Sequence, residues 1–148
     1  MRILIDGDEC PVIDETIKIS SSYNFECLIL CDTSHSFEKD GAKTLTFSKG
    51  ADSVDFALVN ILKKNDIVVT QDYGLAAMCL ARNALPINQD GMEYTAENID
   101  SLLLARHTAK KIRSSGKRLK GPKKRTKDQN KVFEDRLKKL IQKNSQDS

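Results

Sequence analysis

The 148-residue sequence contains no long apolar run: nothing approaches the ~18 consecutive apolar residues that cross a bilayer, so no membrane association is expected. The first residues carry no basic stretch followed by an apolar one, which argues against a secretory signal and for a cytoplasmic location. The four cysteines, Cys10, Cys27, Cys31 and Cys79, show no Cys-x-x-Cys spacing, and three lie in or beside apolar runs. Buried free thiols in a reducing compartment are the expectation. Two isolated histidines, His35 and His107, are too few for a zinc centre of the usual kind. Internal repeats and low-complexity segments are absent.

What is present is an uneven charge. Residues 1–105 hold 8 Lys/Arg against 17 Asp/Glu, a net −9; residues 106–148 hold 16 against 4, a net +12. An acidic body with a basic tail suits a nucleic-acid partner, and the competing reading is a solubilising tail. The basic candidates for phosphate contact are Arg106, Arg113, Lys117, Arg118, Lys123, Lys124 and Arg125. Few aromatics accompany them, so sequence-specific readout is not expected.

Short apolar runs alternate with helical periodicity from Arg2 to Ile112. This order implies a parallel sheet covered by helices on both sides. Strands are expected at Arg2–Asp6, Glu26–Cys31, Ala42–Phe47, Asp66–Thr70 and from Leu85. Helices are expected over Pro11–Ser22, Asp52–Lys64, Leu75–Asn83, from an N-cap at Thr95 to about Ile112, and over Asp128–Lys143. The fold class is α/β, a three-layer α/β/α sandwich with a mainly parallel sheet of about five strands. Residues 1–113 form the body. Residues 114–148 are a basic linker and a last helix, which docks on the body or meets a partner.

Acids fall where such a fold keeps its sites. Asp6 and Asp8 end the first strand, Asp72 follows the fourth, and Asp52 and Asp55 open the helix after the third. In open α/β sheets these positions share the carboxyl edge. Gathered carboxylates repel one another unless a counter-ion is present, and hard oxygen donors select magnesium or manganese. Two such ions activate water and neutralise a leaving oxygen in phosphodiester cleavage. Asp6, Asp52, Asp55 and Asp72 are the expected metal ligands, and Asp6, Asp8, Asp55 and Asp72 the expected catalytic acids. The competing reading makes Asp8, Asp52 and Asp72 helix caps. His35 is a candidate general acid, against the plainer reading of a surface-loop histidine.

The blocks Asp6-Gly-Asp8-Glu-Cys10-Pro11-Val12, Lys49-Gly50-Ala51-Asp52-Ser-Val-Asp55 and Val69-Thr70-Gln71-Asp72-Tyr73-Gly74-Leu75-Ala76 resemble the YaiI/YqxD family. Arg106, Gly121-Pro122 and Phe133 extend the resemblance over nearly the whole chain. That family is PIN-like, related to PIN and NYN nuclease domains. The resemblance implies a magnesium- or manganese-dependent ribonuclease in which Asp6, Asp55 or Asp52, and Asp72 hold the metal, with Asp8 an added acid. The middle acid of the PIN pattern is poorly matched by Glu38 and Asp40, and Asp90 is the near candidate for a fourth. Two alternatives stand beside the nuclease. One is a non-catalytic RNA- or ribosome-associated module. The other is a haloacid-dehalogenase-type phosphatase suggested by Asp6-x-Asp8, although that family prefers Thr or Val where Cys10 stands.

Overall fold

The structure is a computed structural model that describes residues 1–8, 10–32, 38–47, 53–114 and 124–145, without the side chains of 53, 106–110 and 112–114. Five strands and five helices follow in the order β1 (Arg2–Asp6), α1 (Ile13–Ser22), β2 (Glu26–Asp32), β3 (Lys43–Phe47), α2 (Ser53–Ile61), β4 (Ile67–Val69), α3 (Tyr73–Ala81), β5 (Leu85–Ile87), α4 (Ala96–Ser114) and α5 (Lys127–Ser145). The sheet order is β3-β2-β1-β4-β5. Every pairing is parallel, with Ile3 facing Cys27 on one side and Ile67 on the other. The chain moves outward from β1 through β2 to β3, then returns to β4 on the far side of β1. The order therefore reverses between β1 and β4, which is where open α/β sheets form their crevice.

Strand alternation splits the core between two faces. Ile3 packs with Val12 and Ile19 of α1 and with Phe133, Leu137, Leu140 and Ile141 of α5. Leu4 turns the other way, to Val54 and Leu58 of α2 and to Leu75 and Cys79 of α3. The result is the α/β/α sandwich that the alternating pattern predicts. On the second face α4 lies on α3, with Ile99 and Tyr94 closing over Ala76. The last helix docks on the body: its four inward apolar residues are buried in the same cluster as β1, β4 and β5. Pro86 is accommodated because β5 is an edge strand, where a missing donor costs no ladder bond.

Helix ends follow local chemistry. Asn24 (φ 58°) and Asn83 (φ 60°) take the left-handed conformation just past α1 and α3. The amides one residue further on, of Phe25 and Ala84, donate to Ser20 O (2.9 Å) and Cys79 O (3.0 Å), closing both helices in a Schellman arrangement. Thr95 caps α4 as expected: its hydroxyl accepts from Asn98 N–H (3.2 Å), while Asn98 Oδ1 accepts from Thr95 N–H (2.9 Å). Two helix starts differ by two residues from the sequence reading. α1 begins at Ile13 because Pro11 and Val12 still belong to the turn that leads into it, with Val12 at the N-cap position. α3 begins at Tyr73, two residues early, because Asp72 is its cap.

At the amino edge of the sheet, Arg2 grips Asp66 through Nη2 (2.5 Å) and Nε (3.2 Å). Nη2 also reaches the Ile61 carbonyl (2.7 Å), and Lys63 N–H donates to Asp66 Oδ2 (2.8 Å). This clamp ties β1 to the entry of β4, opposite the edge described next.

Candidate carboxylate site at the sheet switch point

Asp6 is the last residue of β1, and Thr70 directly follows β4, so the reversal of strand order makes them neighbours. Thr70 Oγ1 donates to Asp6 Oδ2 (2.9 Å) and accepts from Asp72 N–H (3.0 Å). One buried hydroxyl thus links the Asp6 carboxylate to the backbone amide of Asp72, 66 positions away. Thr70 is itself fixed from both sides. Its amide donates to Ile87 O (3.0 Å), and its carbonyl accepts from Tyr94 Oη (3.1 Å).

Asp72 also caps α3, Oδ1 accepting from Gly74 N–H (2.8 Å) and Leu75 N–H (3.2 Å). The capping reading therefore holds for this acid, and the cap fixes the carboxylate at the edge. Asp8 is no cap: α1 has Val12 at its N-cap position and no side-chain cap bond. Asp8 Oδ1 instead accepts from Asp32 N–H at the end of β2, at a long 3.4 Å. Asp55 lies in the first turn of α2. Asp52, expected among the metal ligands, lies outside the described residues, as does His35.

The thiols record how the acids are placed. Cys79 is pushed up to about 12, first by burial and then by the charges of Asp6 and Asp55, so both carboxylates act on one sulfur. Cys10 rises to about 11, again chiefly by burial, with Asp6 and Glu15 adding to the rise and Arg125 opposing it. None of the four cysteines is in a disulfide, and three are buried. Both shifts favour the neutral thiol in the folded state. Their contribution to stability is complete below the ordinary value near 9 and disappears as pH climbs through 11 and 12. Urea midpoints fall across that alkaline window, and less so in a Cys10→Ala/Cys79→Ala protein. Alkylation of both thiols in the native protein is slow at neutral pH, because the thiolate is the nucleophile.

Tyr94 is fully buried, and its phenol is shifted upward by burial and by the neighbouring Tyr73, Asp72 and Asp90. The sequence reading missed Tyr94, whose only signal was its place directly before the cap of α4. Asp90 faces the basic segment: Arg125 Nη1 pairs with Asp90 Oδ1 (2.9 Å), Nη2 with Gln89 O, and Nε with Asn130 Oδ1 (2.6 Å). The guanidinium assigned to phosphate contact thus fastens the start of α5 to the turn after β5. Lys124 is exposed. Lys117, Arg118 and Lys123 lie outside the described residues, and Arg106 and Arg113 lie on α4 without described side chains. Glu38 and Asp40 are exposed ahead of β3. Among the described residues, no group of three His, Cys, Asp or Glu is close enough together to hold a metal ion. No described helix is long and apolar enough to cross a membrane.

Comparison with known proteins matches residues 4–143 to the family described as "Uncharacterized BCR, YaiI/YqxD family". A UPF0178 protein of Exiguobacterium sibiricum is 51% identical over 141 residues, covering 95% of this chain and 96% of its own. UPF0178 proteins of Clostridium acetobutylicum and Natranaerobius thermophilus are each 42% identical, covering 95% of this chain and 97% and 96% of theirs. No solved structure matches the chain. With the family matched from β1 to the last turns of α5, and relatives aligned over nearly their full length, this chain belongs to the YaiI/YqxD family.

Proposed function

We propose that the chain is a divalent-cation-dependent hydrolase of phosphodiester bonds acting on RNA. The observation that carries this reading is Thr70 at the β1/β4 switch point, its hydroxyl bonded to the Asp6 carboxylate and to the amide of Asp72, whose own carboxylate caps α3 at the same edge. Carboxylate oxygens suit magnesium or manganese. The described acids form no cage of three. Magnesium does not require one, since it keeps several waters and is held by one or two carboxylates together with substrate phosphate. Asp6 and Asp72 would hold it, with Asp55 of the first turn of α2 as a further acid. When bound, the cation would lower the pKa of a water and offset charge on the leaving oxygen. The chain's own residues fix the geometry: Thr70 orients Asp6, and the α3 cap orients Asp72.

Purified protein is incubated with single-stranded RNA and manganese beside Asp6→Asn and Thr70→Val. Asp6→Asn abolishes turnover. Thr70→Val, which keeps the shape and loses the hydroxyl, lowers manganese affinity or turnover about 10- to 100-fold, as loss of a ligand-orienting partner does. Equal turnover in wild type and Asp6→Asn excludes the hydrolytic reading. A second reading is a non-catalytic RNA-binding module. It requires RNA binding that survives chelation, without cleavage.

A further inference from the structure

Tyr73 is the first residue of α3 and directly follows Asp72. Its ring is half-buried, packed at the border of the Ala76–Tyr94–Ile99 cluster. Tyr94 holds it edge to face, with centroids 6.0 Å apart and an interplanar angle of 63°. Tyr94 is itself anchored by its hydroxyl on Thr70 O (3.1 Å). The aromatic pair is thus tied to Thr70, and Tyr73, first residue of the helix that follows β4, stands at the carboxyl edge. A core tyrosine would hide its ring, and a surface tyrosine would lack this support.

We infer that Tyr73 is a stacking platform for an unpaired base next to the phosphate received at Asp6 and Asp72, which makes the substrate class single-stranded nucleic acid. The inference rests on the proposed site and supplies what the basic segment lacks, an aromatic face. Base–aromatic stacking tolerates any sequence, because every base has a π-face. A duplex keeps its bases stacked on one another and offers none to the ring. Three tyrosines and no tryptophan make tyrosine emission a usable reporter.

The test compares binding of an oligoadenylate of about eight nucleotides, within the span of single-strand sites, with an abasic strand of equal length and charge. Binding is read in manganese within seconds of mixing, before cleavage accumulates. Wild type prefers the base-bearing strand by about 5- to 100-fold, the range of one stacked base, and its tyrosine emission is quenched on binding. Tyr73→Phe keeps the preference. Tyr73→Leu binds both strands alike while unfolding at a temperature close to wild type. Preference retained in Tyr73→Leu, no preference in wild type, or no binding of either strand overturns the platform. Failure of the hydrolytic reading is distinguishable. A protein that prefers the base-bearing strand yet never cleaves keeps the platform and loses the nuclease. A protein that cleaves base-bearing and abasic strands equally in manganese keeps the nuclease and loses the platform.

Discussion

Replacing Phe133 with alanine lowers the free energy of unfolding by about 3–5 kcal/mol, the cost of truncating a buried phenylalanine and leaving a cavity. Phe133 is fully buried, the largest of the side chains that α5 sends into the cluster with Ile3, Ile67, Val69 and Ile87. These residues belong to β1, β4 and β5, so the loss falls on the sheet that carries the candidate site. Against a total stability of about 5–15 kcal/mol, most of the margin disappears. A chain ending before Lys127 fares worse, because the β1 face loses Phe133, Leu137, Leu140 and Ile141 together. It unfolds without a cooperative transition and exposes apolar surface to dye. Equilibrium urea unfolding followed by circular dichroism measures both proteins. A loss under about 1 kcal/mol for Phe133→Ala would show that α5 is an appendage that the sheet can do without.

Asp66→Ala costs about 3 kcal/mol, the lower end of the range for removing one partner of a buried ion pair, because the pair is partly buried. The Asp66 side chain is 4% exposed and that of Arg2 18% exposed, so the guanidinium left behind keeps little access to water. Lys63 N–H loses its acceptor in the same step. Glu26, 3.9 Å from Arg2 and 61% exposed, is too solvated to take over. Pairing the change with Arg2→Met recovers part of the loss, because no unpaired charge is then left under the sheet. Thermal unfolding of the two single variants and the double variant forms a cycle; additive losses would mean that the two residues act independently.

The layer order and the carboxyl edge were legible because short apolar runs alternating with helical periods leave few topologies open. Asp6 stood out because it ends a strand and precedes glycine, where a cap has no helix to serve. Which strands lie side by side was not legible. Only the reversal after β3 makes Thr70 a neighbour of Asp6, 64 positions away, and the Arg2–Asp66 clamp hid behind the same separation. The stripe on α5 announced a buried face without saying against what. Arg125 shows the limit of reading charge from context. In a run of lysines and arginines it reads as a phosphate ligand, yet the fold spends its donors on Asp90, Gln89 and Asn130.

The position of β1 has a consequence for biosynthesis. β1 is the innermost of the five strands, and it cannot acquire its β4 neighbour until residue 67 has been translated. One of its faces stays unsealed until Ile141 emerges. Contacts this distant in sequence make for slow folding. Ile5 finds Ile17, Cys27 and Ile29 early in synthesis, whereas the side of Ile3 that α5 covers waits for Phe133 to Ile141.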